Sequence, residues 1–304
     1  MKEIFKTNEI KKEAKIETLK GPKESEISYC PEIGGTITSI KVRGIEILRR
    51  DPNDLKGEKK RGGMPIMFPN GGPLDNVLPG ATEKLEQHGF VSRSELSIDE
   101  TNEDENKLIE KFEGAKSASY PYEKYLLRII SEIEEDGSVI LTEEVQNDSD
   151  KEMPISMGLH PYFRVPKGRK NEVEIDFGDD ALNRKIKKNS KSWMNGEAMI
   201  IDNPKLKSEN TDEDRTLKIK IRIPEVGAIA MDVFEEYESI WIWSKESEKG
   251  DEDDFICVEP VMRKPRGLTS ERPGIVKPHD TFRGRVRFSL EKEPSSEGDM
   301  NNQS

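Results

Sequence analysis

Two residues in this chain are placed to exchange protons. The first is His160, one of three histidines in 304 residues. It stands in Met157-Gly158-Leu159-His160-Pro161-Tyr162-Phe163. A small residue upstream and a proline directly after keep the backbone extended and fix where the ring points. Imidazole changes charge near neutral pH, so it can act as general acid or base. The rings of Tyr162 and Phe163 follow, and aromatic faces are what sugar C–H surfaces stack on. The second residue is Glu259, the one carboxylate inside the apolar run Phe255-Ile256-Cys257-Val258-Glu259-Pro260-Val261. Burying a carboxylate is costly unless it is paired, and burial raises its pKa toward that of a useful base. Each has a bland alternative: a packed structural imidazole, and a strand-end glutamate in water.

Other polar residues could serve such a pair. Arg61-Gly62-Gly63-Met64-Pro65-Ile66-Met67-Phe68-Pro69, continued by Asn70-Gly71-Gly72-Pro73, is dense in Gly and Pro. That density specifies a fixed irregular path, which suits a loop lining a pocket. Arg61 would be its planar donor for hydroxyls, carboxylate or phosphate; a structural turn with a surface arginine is the alternative. In Gln87-His88-Gly89-Phe90, adjacent residues on an extended strand face opposite sides, so only one reaches a given pocket unless a bulge or loop redirects them. Either could read hydroxyls as donor and acceptor. Asp202 ends the apolar run Met199-Ile200-Ile201 and opens a turn, where it forms an Asx-turn or accepts from hydroxyls. His279, in Lys277-Pro278-His279-Asp280, reads as a polar turn. Three scattered histidines without ligand spacing give metal binding weak support. The glycines lack the phosphate-loop spacing with its Lys-Ser/Thr pair, and no Gly-x-Ser-x-Gly elbow occurs.

The elements that must hold these residues are strands. Period-two alternation recurs at Ile37 to Val42, Ile45 to Leu48, Tyr125 to Ile133, Val139 to Val145, Val173 to Phe177, Leu217 to Ile223, Ile240 to Trp243 and Val286 to Leu290. It is clearest in Leu217-Lys218-Ile219-Lys220-Ile221-Arg222-Ile223, the pattern of a half-buried antiparallel strand. Glu135-Asp136-Gly137-Ser138 between two such runs reads as a tight hairpin turn. No long stretch carries apolar residues at helical spacing with caps at both ends. Many short strands between turns favour a mainly β sandwich or barrel. Asp99 to Lys107, Lys205 to Asp214 and Lys245 to Asp254 are charge-dense and read as solvated loops. With no repeat and no dividing linker, residues 1–292 are expected to form one domain, and 293–304 a disordered polar tail.

Composition narrows the partners. The chain is 32% hydrophobic and 36% charged, with a formal net charge of −12. That balance argues against a nucleic-acid or anionic-membrane surface, which needs clustered Lys and Arg. Cys30 and Cys257 give neither a disulfide framework nor zinc spacing, and read as buried thiols of a reducing compartment. Met1 to Lys20 has no apolar centre and is not a signal peptide. No run approaches the roughly 20 apolar residues of a membrane span. A cytoplasmic protein is expected; the sequence leaves the oligomeric state open, a monomer being favoured.

Taken in order, the motifs resemble the aldose 1-epimerase (mutarotase) superfamily, and within it the hexose-6-phosphate mutarotase branch. Arg61-Gly62-Gly63 with Phe68-Pro69 and Gly72-Pro73 comes first, then Gln87-His88-Gly89-Phe90, Leu159-His160-Pro161-Tyr162-Phe163, and Val258-Glu259-Pro260. Gly34-Gly35 and Tyr120-Pro121-Tyr122 add weaker likeness, so the similarity spans roughly residues 30 to 290. The resemblance implies a large antiparallel β-sandwich of the galactose mutarotase-like type. It also implies cofactor-free and metal-free interconversion of the anomers of a hexose, with a small-molecule sugar or sugar phosphate as partner. It implies His160 as general acid, Glu259 as general base, and Arg61, Gln87, His88, Asp202 and Arg93 as substrate-binding positions. Trp241, Trp243, Phe68 and Phe163 are candidate pocket walls, core packing being the expectation for at least two. Carboxylates around His160 should favour its protonated form.

The chain departs from the phosphate-handling branch at Ser92, where that branch commonly has an arginine; Arg93 is displaced by one, and strand geometry would turn it away. Arg263, Lys264 and Arg266 are possible substitutes. Two rivals stand beside the enzyme: a non-catalytic carbohydrate-binding protein on the same sandwich, and a glycoside hydrolase using Asp202 with Glu259 as paired carboxylates.

Overall fold

The computed structural model describes residues 14–50, 61–102, 106–203, 216–234, 236–247, 253–270 and 274–291. The alternation along the chain returns as antiparallel strands. β1 (Glu17–Lys20), β2 (Glu26–Cys30), β3 (Thr36–Val42) and β4 (Ile45–Glu46) make a four-stranded sheet in chain order. β5 (Ile66–Met67) lies in the Gly/Pro segment. β6 (Ser97–Asn102), β7 (Lys107–Gly114), β8 (Tyr125–Ile133) and β9 (Val139–Asn147) pair in succession. β10 (Met153–Ile155), β11 (Gly158–Leu159), β12 (Tyr162–Pro166) and β13 (Glu174–Asp176) lead to helices α1 (Asp180–Lys188) and α2 (Ser190–Met194). The chain continues through β14 (Met199–Asp202), β15 (Leu217–Ile223), β16 (Gly227–Val233), β17 (Ser239–Trp243), β18 (Asp253–Val261), β19 (Gly274–Val276) and β20 (Thr281–Leu290).

Two sheets make the sandwich. One runs β13-β15-β16-β20-β9-β8-β7-β6; the other runs β14-β17-β18-β11-β5, with β12 also on β18. They meet face to face where Phe163 of β12 packs edge-on against Phe288 of β20, 6.1 Å between centroids. The strict alternation of β8 and β15 places every second residue in this core. Gly137 takes φ +82° in the expected hairpin turn, its N–H donating to Glu134 O at 2.9 Å.

The six-stranded sheet buries both of its faces differently. Ile201, Ile240, Ile242, Ile256, Val258 and Phe163 join the main core. The alternate residues form two separate small clusters, Met67, Trp241 and Val261, and Tyr162, Phe255 and Cys257. Since successive side chains on a strand point to opposite faces, these clusters mark the face turned away from the sandwich interior. His160 and Glu259 stand on that face.

Three expectations change. Asp99 to Lys107 is not a solvated loop: Asp99 lies in β6 and Lys107 opens β7, residues 103–105 being outside the described set. Asp99 stands on an edge strand, where it meets Lys111 at 2.9 Å. In Lys245 to Asp254, Asp253 and Asp254 already belong to β18. Helix α1 was not legible because its apolar stripe is only Leu182 and Ile186, one helical step; its start is capped by Asp179, which accepts from Ala181 N and Leu182 N. The expected loop 205–214 and tail 293–304 lie outside the described residues. Among the described residues no helix is long and apolar enough to cross a membrane.

Candidate active site

The register of one strand pair sets the site. Gly158 pairs with Val261, and Tyr162 with Cys257. The two pairs are equally spaced on both strands, so the pairing interrupted over Leu159–Pro161 resumes without slip. His160 therefore falls opposite Glu259. Pro161 has no N–H to give a ladder, so the interruption strands no donor there. Gly158 must be glycine at this crossing, because a Cβ would stand 2.5 Å from Pro260 O. His160 N donates instead to Pro65 O at 3.2 Å, tying the imidazole strand to the Gly/Pro loop.

His160 Nε2 lies 3.6 Å from Glu259 Oε1, with the residues only 4% and 2% exposed. That is too long for a direct hydrogen bond. Burial, reinforced by His88, holds the imidazole well below its ordinary pKa. Burial alone pushes the Glu259 carboxyl up to about 8. The expectation that carboxylates would keep His160 charged is thus overturned: desolvation outweighs one uncharged neighbour. Both shifts favour the uncharged pair, with the shared proton on Glu259.

Aromatic rings fix the imidazole. Tyr162 stacks on it, 4.6 Å between centroids and 7° from parallel. Trp243 meets it edge-on at 6.0 Å and His88 at 5.0 Å. His160 Nδ1 is buried without a hydrogen-bond partner among the described residues.

The Gln87-His88 pair lies in a turn rather than an extended strand. His88 takes φ +63°, and Gln87 Nε2 and His88 Nε2 approach to 3.2 Å, so both side chains serve one place. Burial and then Arg93 lower the His88 pKa to about 4. Gly89 takes φ +67°, and a Cβ there would stand 1.9 Å from Phe68 O, so both the backbone and the space call for glycine.

Arg93 belongs to a 3-10 turn, Val91–Arg93, so the strand argument for its direction does not apply. Its guanidinium contacts Glu86 and Gly89 O, both at 2.5 Å, and braces the His88 turn. Arg61 is positioned through its carbonyl, which accepts from the buried Arg49, and its neighbour Gly63 bonds Tyr162 N through its own carbonyl at 2.9 Å. Asp202 shares the site face in the row of Ser239 and Val261, and Lys264 Nζ holds its carboxylate at 2.8 Å. It is not a second carboxylate beside Glu259. Arg263 pairs with Glu238 at 2.7 Å and Arg266 with Asp75 at 2.6 Å. Arg263, Lys264 and Arg266 are therefore each already matched by a carboxylate.

Of the four aromatic candidates, Phe68 and Phe163 are fully buried in the core and line nothing. Trp241 lies under Gly71 and Gly72, where a Cβ on Gly72 would reach 2.8 Å from its ring. Trp243 remains as a wall. Sequence reasoning gave Cys257 only as a buried thiol, which it is, and not as a site residue; its sulfur lies with a His160 nitrogen and a Glu259 oxygen all within 4.8 Å of one another. Period-two spacing from Glu259 was the available signal. Arg49, 5.8 Å over the Phe255 ring, carried no signal at all. His279 is exposed and meets Asp150 at 3.1 Å. A concavity of about 1010 Å³ near Arg169, Arg222 and Glu225 contains none of these residues.

The family model described as Aldose 1-epimerase matches residues 18–289. The Protein LacX, plasmid, of Lactococcus lactis subsp. lactis is 32% identical over 162 residues, 48% of this chain and 52% of that one. The match thus spans about half the length of this curated relative. Among solved structures, Slr1438 from Synechocystis sp. PCC 6803 superposes with TM-score 0.69 at 20% identity, over 95% of this chain and 99% of that one. A galactose mutarotase-like protein from Clostridium acetobutylicum gives TM-score 0.70 at 18% identity, over 92% and 99%. These two likenesses concern the fold.

Proposed function

Since this chain belongs to the aldose 1-epimerase family, we propose that it interconverts the α and β anomers of a hexose by acid–base ring opening and closure. The observation that carries the reading is the buried His160–Glu259 pair, 3.6 Å apart on the sheet face away from the core. In the proposed reaction Glu259 takes the proton of the anomeric hydroxyl while His160 gives one to the ring oxygen. The bond from C1 to the ring oxygen breaks and the free aldehyde forms. Rotation about C1–C2 and closure on the other face return both protons and yield the other anomer.

The pair needs one proton in total. Burial favours it on Glu259; transfer to His160 gives the carboxylate base and imidazolium acid. Sugar hydroxyls entering beside the two groups supply the hydrogen bonds that favour this charged arrangement. Tyr162 backs the imidazole, Trp243 offers its half-buried ring to the sugar, and Arg61, Gln87, His88 and Asp202 are its hydroxyl-binding positions. An uncharged hexose is favoured over a 6-phosphate, because Lys264, Arg263, Arg266 and Arg93 each already face a carboxylate.

The test is anomer exchange followed by NMR on glucose, galactose and glucose 6-phosphate. Wild type should exceed His160→Ala and Glu259→Gln by about 10²–10⁴-fold, the usual worth of a general acid or base. Sugar binding with exchange no faster than in buffer would instead identify a carbohydrate-binding protein. Equal rates for wild type and both variants on all three sugars sink the enzymatic reading.

A further inference from the structure

His160, Cys257 and Glu259 are all buried, and one ligand atom from each lies within 4.8 Å of the others. Imidazole nitrogen, thiolate sulfur and carboxylate oxygen are the three donor types that zinc takes. We propose that these side chains form a binding site for a thiophilic divalent cation of the zinc class, which occupies the space between the imidazole and the carboxyl.

The geometry suits a small tetrahedral ion. Two ligands about 2.0–2.1 Å from a tetrahedral centre lie roughly 3.4 Å from each other. His160 Nε2 and Glu259 Oε1 stand 3.6 Å apart, already close to that spacing. The thiol has the larger movement to make, since the three-atom limit is 4.8 Å. The supporting shell is rigid where it matters. Tyr162 stacks on the imidazole, and Cys257 and Glu259 share one face of β18, the strand at the centre of the sheet.

Charge also closes. On binding, the thiol and carboxyl release their protons to solvent, and the two resulting anions balance the cation while the imidazole stays neutral. No electron is transferred. Three protein ligands leave a fourth position for water or a sugar hydroxyl. A soft sulfur in the set selects against magnesium and calcium, which take oxygen ligands. The cation takes the Nε2 lone pair and the carboxylate oxygen that ring opening would need. Inhibition of anomer exchange follows only if the proposed function holds, whereas binding does not depend on it.

Cobalt(II) alone, titrated into the full chain with exclusion of air, is the probe. One equivalent should produce tetrahedral visible bands and a near-ultraviolet thiolate-to-cobalt charge-transfer band, both erased by zinc. Cys257→Ser should lose the charge-transfer band and weaken binding by more than the roughly 10–100-fold that an outer-shell partner is worth. Cys30→Ser, altered in the four-stranded sheet, should keep both signals. Pale octahedral spectra without the charge-transfer band in wild type overturn the site, even where Cys257→Ser fails to fold. So does a band that survives in folded Cys257→Ser.

Discussion

Glu259 keeps its proton to about pH 8 because burial disfavours its charged form, and the same burial keeps His160 neutral. The two are close enough to titrate as a unit. Under the proposed chemistry the working state carries one proton on the pair. Raising pH through about 8 removes that proton and leaves two bases and no acid. The exchange rate should therefore fall about tenfold per pH unit above that point, and it should also fall at low pH, where a second proton removes the base. A pH–rate profile checks both limbs; a rate still rising at pH 10 would exclude the pair as the acid–base couple. A second prediction concerns charge selection. Asp202→Asn releases Lys264 from its carboxylate. Its KM for glucose 6-phosphate should drop relative to its KM for glucose. An unchanged ratio means that Lys264 does not reach the sixth position. At this scale the order of motifs made the meeting of His160 and Glu259 legible. The protonation state was not, because desolvation depends on what encloses a group and not on its chain neighbours.

At the scale of elements, the turn at Gly89 and the crossing at Gly158 carry the geometry. Gly89→Ala must strain a φ of +67° and push a Cβ into Phe68 O. It should cost about 1–3 kcal/mol from backbone strain alone, read as a lower melting temperature, and it should slow exchange by moving His88. Gly158→Ala brings a Cβ to 2.5 Å from Pro260 O, so the β11–β18 crossing must open. Exchange should suffer more than stability does, since the shift displaces His160 from Glu259. Melting curves beside rates on the same samples separate the two. Strands such as Leu217–Ile223 were legible because one buried face imposes a two-residue period. Helix α1 was not, since two apolar residues cannot establish a period. The turn holding Gln87 and His88 was not either: of its two left-handed residues, His88 and Gly89, the first is a histidine, and nothing in the Gln-His pair demands positive φ.

The molecule as a whole carries further buried acids. Glu110 and Glu143 flank Ile129 in one row of the eight-stranded sheet, both fully buried. Glu143 accepts from Tyr237 OH at 2.7 Å, while both oxygens of Glu110 lack a hydrogen-bond partner among the described residues. Burial pushes each up to about 8 from 4.5. The sign follows from proton counting. Between those values the unfolded chain loses these protons and the folded chain keeps them. Their contribution to stability is thus fully present below about pH 4.5 and is lost as pH rises to about 8, by up to about 1.4 kcal/mol per pH unit per group. Glu110→Gln should flatten that decline, and urea melts at pH 5, 6.5 and 8 measure it. An identical slope in wild type and variant would mean that Glu110 is ionised in the fold.

The uninterrupted register between His160 and Glu259 has one more consequence, for the order in which the chain acquires activity. Nearly a hundred residues separate the two, and they meet only when β18 docks between β17 and β11. The hairpin β8–β9 closes through a short turn. Long-range pairing pays its loop-closure entropy late, so after dilution from denaturant the hairpin signal should return before anomer exchange does. Regain of activity would then report the docking of that single strand, a clock for the final step of folding.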